Sequence, residues 1–150
     1  MAAKRQGDRQ PLMHAHLFGE FLMGDDSLRV YEGNELLFAS REDRLLPLLK
    51  YIEQFAPYHQ QVLVFDKIIG NAAALLCVKA ACRVIYSPLG SELAINTLDR
   101  YRIEYHLTRV VPYIQRIDGE AMCPMEELSL DKEPEEFYEL IKDTTSRPQD

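Results

Sequence analysis

The chain has 150 residues, of which 47% are hydrophobic and 27% are charged, as in an average globular protein. These proportions argue against a disordered, fibrous or disulfide-dense protein, and a chain of this length normally forms a single core. The net charge of -7 provides no basic field to gather the phosphates of a nucleic acid, so we expect no nucleic-acid partner.

Compartment signals are absent from the sequence. The longest uncharged apolar stretch, residues 68–78, is too short for a membrane span, which takes about 20 residues. The basic start at Lys4-Arg5 is followed by polar residues, which is unlike a signal peptide. Three scattered cysteines, Cys77, Cys82 and Cys123, indicate reduced thiols in place of a disulfide framework. We therefore expect a cytoplasmic protein without a membrane partner.

The first half of the chain predicts a helix, a hairpin and a second helix. Residues 1–10 are polar and are interpreted as a disordered N-terminal tail, and apolar residues at helical spacing then predict a helix at about residues 11–24. Two short apolar runs within residues 28–38 flank Gly33-Asn34, a sequence that favours the turn of a β-hairpin. An amphipathic stripe predicts a second helix that starts near residues 44–46.

The second half alternates between strand and helix patterns. Short apolar runs predict strands at residues 62–65, 83–86 and 103–106, and helix-length segments lie between them at about residues 67–80 and 88–101. Such alternation is typical of right-handed crossovers between parallel strands. With the hairpin, the sequence predicts an α/β fold built on five strands.

The C-terminal residues 131–150 are acidic and are predicted to lie outside the α/β domain proper, which we place at residues 11–130. Phe137, Leu140 and Ile141 give this segment one narrow apolar face. We therefore expect a peripheral acidic helix that ends in a frayed tail.

Three short blocks carry a resemblance to a known family. Residues 66–76 read Asp-Lys-Ile-Ile-Gly-Asn-Ala-Ala-Ala-Leu-Leu, residues 111–114 read Val-Pro-Tyr-Ile with Asp-Gly at 118–119, and residues 123–126 read Cys-Pro-Met-Glu. On these blocks the chain resembles the DUF1893 family over roughly residues 12–126.

The DUF1893 family is small and of unassigned activity, and the resemblance implies a cytidine deaminase-like fold. That fold is a three-layer α/β/α arrangement, in which helices cover both faces of a five-stranded mixed sheet with a leading β-hairpin. The sequence departs from the family at Gln115-Arg116-Ile117, where we expect the family pattern to have Asn-Arg. A role for that Asn is therefore not carried over to this chain.

The metal-binding motifs of a zinc deaminase are missing. That chemistry needs H-x-E and P-C-x-x-C. None of His14, His16, His59 and His106 is followed two residues later by Glu, and the cysteines form no C-x-x-C. Where the fold would present P-C-x-x-C, residues 66–70 read Asp-Lys-Ile-Ile-Gly. We expect no zinc, no other cofactor and no zinc-dependent deamination.

The turn after the strand at residues 62–65 supplies four candidate ligand-binding residues. Asp66 is interpreted either as the N-cap of the next helix or as an anchor for a ribose hydroxyl or an acid/base group, and both roles can hold together. Lys67 is either solvated or contacts a phosphate together with the helix N-terminus. Gly70, which Asn71 follows, lies inside the predicted helix and indicates that another group approaches the helix backbone closely there. That group is either the sheet or a ligand.

Three further residues complete the candidate set. Ser87 is interpreted as the cap of a helix that begins at Pro88, with ligand contact as the alternative. Arg116 belongs either to a turn with Asp118-Gly119 or to a phosphate-binding surface. Cys123 is a packed or capping thiol, or a nucleophile at the start of a helix at Pro124, while the other two cysteines are interpreted as core residues.

Three functions remain open at this point. The first is a zinc-free deaminase-fold domain that binds a nucleotide or an ADP-ribose-like nucleoside diphosphate above Asp66 and Lys67. The second is a group-transfer or hydrolytic enzyme that uses these residues as acid or base and Cys123 as a nucleophile. The third is an interaction module that docks through residues 135–142, so that deletion after Leu130 should spare the fold. A homo-oligomer is compatible with each of them.

Overall fold

The computed structural model describes residues 2–56, 58–116, 118, 119 and 121–146, and the side chains of residues 12–143 within these ranges. Among the described residues, no helix is both long enough and apolar enough to cross a membrane. In chain order the elements are α1 (Ala2–Met23), β1 (Leu28–Glu32), β2 (Glu35–Ser40), α2 (Leu46–Phe55), β3 (Val62–Asp66), α3 (Asn71–Lys79), β4 (Cys82–Ser91), α4 (Glu92–Arg100), β5 (Glu104–Val111), α5 (Pro124–Ser129) and α6 (Pro134–Ser146).

The five strands form one mixed sheet in the order β2-β1-β3-β4-β5. Strand β1 is antiparallel to both β2 and β3, whereas β3, β4 and β5 are parallel. The predicted α/β class, the five-stranded mixed sheet and the leading hairpin are therefore confirmed. Because β2 runs in the same direction as β3, the C-terminal ends of β2, β3, β4 and β5 meet at one edge of the sheet, which we call the carboxyl edge.

Both faces of the central strand β3 are buried, and its alternating side chains enter two separate hydrophobic clusters. Val62 and Val64 belong to the larger cluster, which takes in side chains of α2, α3, α4 and α6. Leu63 and Phe65 belong to the smaller cluster on the other face, where they meet Phe21 of α1. This alternation explains why the strand is recognised in the sequence as a continuous apolar run.

Helix α1 packs on its face of the sheet mainly through aromatic rings. The ring of Phe18 lies 5.4 Å from those of Phe65 and Tyr86, centroid to centroid, and the ring of Phe21 lies 5.7 Å from that of Phe65. The helix begins at Ala2, ahead of the predicted start at residue 11, and includes the residues interpreted as a disordered tail.

The predicted starts of two helices are wrong, because long-range pairing extends the sheet past local helix signals. Ile69 pairs with β4: its N–H donates to Leu89 O at 2.9 Å, and its carbonyl accepts from Ser91 N at 3.0 Å. Helix α3 therefore begins at Asn71 instead of residue 67. Strand β4 likewise continues through Pro88 to Ser91, so α4 begins at Glu92 instead of residue 88.

The C-terminal helix is part of the core, so the prediction of a peripheral helix is wrong. Phe137 and Ile141 of α6 are 0% and 2% exposed and belong to the same cluster as α2 and α3, while Leu140 is 47% exposed. The apolar face predicted from these three residues is therefore packed onto the domain through two of them. The tail predicted at the C-terminus falls partly on residues 147–150, which lie outside the described residues.

Candidate functional site

The candidate site lies at the carboxyl edge, in a gap between β3 and β4. Their regular pairing ends with Phe65 opposite Tyr86 and resumes at the bridge between Ile69 and Gly90. Residues 66–68 have no partner residue on β4 between these two points, although Asp66 still pairs with Leu28 of β1. Pro88 lies on the β4 side of the same gap, where its missing N–H costs no ladder hydrogen bond to β3.

Asp66 is a partly buried carboxyl group in this gap. Its Oδ1 accepts a hydrogen bond from Ile68 N at 3.3 Å. Burial raises the pKa of Asp66 to about 7, and the backbone N–H groups of Ile68 and Lys67 oppose this rise in part. Both protonation states are therefore populated near neutral pH. The prediction that Asp66 caps the next helix is wrong, because Gly70 occupies the N-cap position of α3.

Lys67 faces the opposite side of the sheet from α3. Its ammonium group donates to Phe21 O at 3.1 Å and lies 4.5 Å from the centre of the Phe21 ring. The side chain thus satisfies a carbonyl in the last turn of α1, where a positive charge is favourable. Asp66 and Lys67 are neighbours in sequence, but the structure does not bring their charged groups together.

A buried carboxylate that was not among the candidate residues occupies the N-terminus of α3. Glu126 is 2% exposed, and its Oε1 accepts a hydrogen bond from Asn71 N. Its Oε2 accepts from Ile114 N at 2.6 Å. The carboxylate therefore joins the first turn of α3 to two separate parts of the C-terminal chain, in the position where a helix best accommodates a negative charge.

Gly70 is explained by this carboxylate. A Cβ atom at residue 70 would lie 2.9 Å from Ile114 Cγ1 and 3.0 Å from Glu126 Oε1, closer than such contacts normally occur. The close approach predicted at Gly70 is therefore made by side chains from the C-terminal part of the chain. Gly70 is the N-cap of α3 and has an extended conformation. The prediction that it lies within the helix is therefore wrong.

Asn71 is buried, and its amide is used within the fold. Its Nδ2 donates to Ser129 O at 3.1 Å and to Ser129 Oγ at 2.9 Å, and its Oδ1 accepts from Thr97 Oγ1. Ser129 Oγ in turn donates to Glu126 O at 2.6 Å. We call this connected set the Glu126 clamp; its members are Gly70, Asn71, Thr97, Ile114, Glu126 and Ser129.

The remaining polar candidates do not gather around Asp66. Ser87 is fully buried within β4, and its Oγ donates to Leu89 O at 2.9 Å, so its predicted capping role is wrong. The cap of α4 is Ser91, whose Oγ accepts from Ala94 N at 3.0 Å. The serine that caps α4 is therefore Ser91 and not the predicted Ser87.

Arg116 is exposed and lies in a turn, as the first interpretation predicted. Its carbonyl accepts from Gly119 N at 2.9 Å, and its guanidinium lies 3.5 Å from the carboxylate of Asp118. The third residue of the Gln115-Arg116-Ile117 departure, Ile117, lies outside the described residues.

The three cysteines are free and differ in burial. Cys77 and Cys82 are buried, which confirms that they belong to the core. Hydrogen bonding with Cys82, together with burial, raises the pKa of the Cys77 thiol. Cys123 is partly buried and directly precedes α5, which begins at Pro124 as predicted.

No metal centre is formed by the part of the chain that the structure describes: no group of three or more His, Cys, Asp or Glu side chains lies close enough to hold an ion.

Two surface cavities of about 200 and 210 Å³ are present. The larger lies beside Asn71 and Thr97, and the smaller lies at the opposite end of β3 and β4. Asp66 and Lys67 line neither of these two cavities.

Comparison with known proteins places the chain in a family. Residues 19–145 match the family model described as a domain of unknown function, DUF1893. The chain belongs to the DUF1893 family. Its fold is similar to the crystal structure of a DUF1893 family protein (TM1506) from Thermotoga maritima, with a TM-score of 0.78 and 28% sequence identity over 89% of this chain and 90% of that chain. No curated protein matches.

The three sequence blocks that carried the DUF1893 resemblance meet in the Glu126 clamp. Gly70 and Asn71 come from the first block, Ile114 from the second and Glu126 from the third. These blocks are therefore explained in large part by packing between α3 and α5. Asp66, which lies in the first block but outside the clamp, is not explained in this way.

Proposed function

We propose that this DUF1893 domain has a cytidine deaminase-like, three-layer α/β/α arrangement and binds a nucleotide or nucleoside-diphosphate ligand at its carboxyl edge. The observation that carries the proposal is Asp66, a partly buried carboxyl group with a pKa of about 7 in the gap between β3 and β4. Open α/β sheets commonly bind ligands at this edge, and perturbed carboxyl groups are enriched at functional sites.

The chemistry of Asp66 suits a ribose ring. In its ionised form, which is populated near neutral pH, the two oxygens of its carboxylate can accept hydrogen bonds from two neighbouring hydroxyls. A vicinal diol offers two such donors within reach of one carboxylate, whereas the amide of asparagine has a single acceptor oxygen. We therefore assign the ribose hydroxyls of the ligand to Asp66.

The phosphates of such a ligand have a different position from the one that the sequence suggested. Glu126 occupies the N–H of Asn71 at the start of α3, and Lys67 binds the carbonyl of Phe21 on the other face of the sheet. Neither group contributes to phosphate binding in the observed arrangement. The proposal therefore places the phosphates toward solvent and predicts that adenosine binds almost as tightly as ADP-ribose.

The experiment is a thermal-shift titration of the full chain with adenosine, AMP and ADP-ribose. Asp66→Asn keeps an oxygen for the N–H of Ile68 but removes the titrating carboxyl group. Asp131→Asn is the matched control, because Asp131 is exposed and has a φ of 59°, which Asn tolerates well. Ligand should raise the Tm of the wild type and of Asp131→Asn but not of Asp66→Asn; an equal rise in all three, or no rise in any, contradicts the proposal.

A second candidate function, group transfer or hydrolysis, rests on the same pKa. A carboxyl group with a pKa of about 7 is matched to acid/base catalysis at neutral pH. Incubation of nucleotides with the wild type and with Asp66→Asn, followed by chromatography, tests for turnover that depends on this carboxyl group. The version that uses Cys123 as a nucleophile also requires rapid labelling of that thiol at neutral pH, and an inert Cys123 would exclude it.

A further inference from the structure

A second candidate site lies at the end of the sheet opposite the carboxyl edge. It is the surface cavity of about 200 Å³ where β3 and β4 begin, between the middle of α1 and the turn of the leading hairpin. Three polar side chains line it, those of His14, Gln61 and Arg83, and Leu63 and Val84 contribute apolar walls. We call it the Arg83 cavity.

A break in strand register sets Arg83 apart from the ladder. Val62 pairs with Cys82 and Leu63 pairs with Val84, so Arg83 has no partner residue on β3. The pairing of β4 with β5 begins at Val84, so Arg83 has no partner there either. Such irregularities redirect side chains and often occur beside functional sites. Arg83 and its neighbour Val84 both line the cavity.

The polar groups of the Arg83 cavity are not paired with each other or with neighbours. Within the described part of the chain, the side chains of Arg83, His14 and Gln61 form no hydrogen bond or ion pair. His14 contacts the edge of the Tyr86 ring, with 5.7 Å between the ring centroids. Unpaired donors on α1, on β4 and on the residue before β3 therefore line one cavity.

Charges around the cavity act on His14. Burial lowers its pKa, Glu104 opposes this effect, and His106 and Arg83 add to it. The carboxylate of Glu104 also contacts a second ring, because its Oε2 lies 2.7 Å from Nε2 of His106. Among the described residues the Arg83 guanidinium forms no ion pair, on a protein with a net charge of -7.

We propose that the Arg83 cavity binds a phosphate-type dianion, either free or at the end of a phosphate monoester. The guanidinium offers a planar fork of donors that matches phosphate oxygens, and the imidazole and the Gln61 amide offer further donors. The cavity is several times larger than the volume of one water, roughly 30 Å³, so it accommodates such an anion. This inference does not depend on the proposed function, because the two sites are at opposite ends of the strands.

The test is the change in Tm of the full chain on addition of inorganic phosphate, with chloride at matched ionic strength as the reference. A parallel titration with glycerol 3-phosphate distinguishes a free anion from a phosphate monoester as the preferred ligand. Arg83→Gln removes the guanidinium at an exposed position. Arg109→Gln is the matched control, because Arg109 is an exposed arginine of the neighbouring strand β5 and does not line the cavity.

Phosphate or its monoester should raise the Tm of the wild type and of Arg109→Gln. The affinity of Arg83→Gln for the anion should be lower by about tenfold or more. His14→Gln should also weaken binding, whereas Asp66→Asn should leave it unchanged. The proposal is overturned if neither anion raises the Tm above the chloride reference. It is equally overturned if Arg83→Gln and Arg109→Gln respond alike, which would indicate an unspecific salt effect.

Discussion

The Glu126 clamp makes a sharp prediction for the substitution Gly70→Ala. The added methyl group would lie 3.0 Å from Glu126 Oε1 and 2.9 Å from Ile114 Cγ1. Relief requires movement of both groups, and Glu126 is held by the N–H groups of Asn71 and Ile114. The substitution therefore displaces a buried carboxylate from its two hydrogen bonds.

The magnitude follows from those two bonds. A hydrogen bond to a charged group contributes about 1.5–3 kcal/mol, and partial retention after a shift reduces the loss. We expect Gly70→Ala to lower the free energy of unfolding by about 2–4 kcal/mol, a sum of two weakened bonds. The φ of Gly70 is −91°, so the backbone conformation itself would tolerate alanine, and the loss must come from the contacts.

The assay is urea denaturation at neutral pH, with Gly19→Ala as the matched control. Gly19 lies within α1, and a Cβ there meets no atom within 4 Å. Because alanine is favoured over glycine inside a helix by about 1 kcal/mol, this control should be as stable as the wild type or more so. If Gly70→Ala were as stable as Gly19→Ala, with an unchanged m-value, the account of the clamp would be refuted.

Three further predictions concern stability. Because Asp66 has a pKa near 3.8 when unfolded and about 7 when folded, the protonated form stabilises the fold, and that stability is lost as pH rises from about 4 to 7. In urea titrations, the free energy of unfolding of Asp66→Asn should equal that of the wild type near pH 4 and exceed it at pH 8. The difference should grow by at most about 1.4 kcal/mol per pH unit. The hydroxyl of Tyr51 is buried without a hydrogen-bond partner among the described residues, so Tyr51→Phe should raise stability by about 1 kcal/mol. Tyr101→Phe, which loses a 2.6 Å bond to a glutamate, should not raise it. Deletion after Leu130 removes the buried ring of Phe137 and should lower Tm sharply, contrary to the sequence-based expectation that the fold is spared.

Much of the sheet could be predicted because its signals are local. The continuous apolar run of β3 reflects burial on both faces, and Gly33 in the hairpin turn has a φ of 59°, as the Gly-Asn signal requires. The helix starts were wrong where tertiary hydrogen bonds overrode local signals. The Ser87-Pro88 pair is typical of a helix start, yet the bridge from Ile69 keeps that segment extended as far as Ser91.

The candidate site was predictable in part. The end of β3 identified Asp66, because a carboxylate after a buried strand is a local feature. Glu126 was missed as a site residue because it meets Asn71 from 55 positions away in the chain, a distance that no periodicity reveals. Its presence in the first turn after Cys123-Pro124 was a usable signal, since acidic residues are favoured at helix starts. The break in register at Arg83 also depends on pairing between strands.

The most direct test of ligand binding at Asp66 is the intact mass of the purified full chain, measured with adenosine nucleotide under native and denaturing conditions. We predict a native mass increased by one nucleotide for the wild type and for Asp131→Asn, no increase for Asp66→Asn, and the bare mass for all three after denaturation. A bare native mass for the wild type, or an equal complex with Asp66→Asn, would contradict the proposed function.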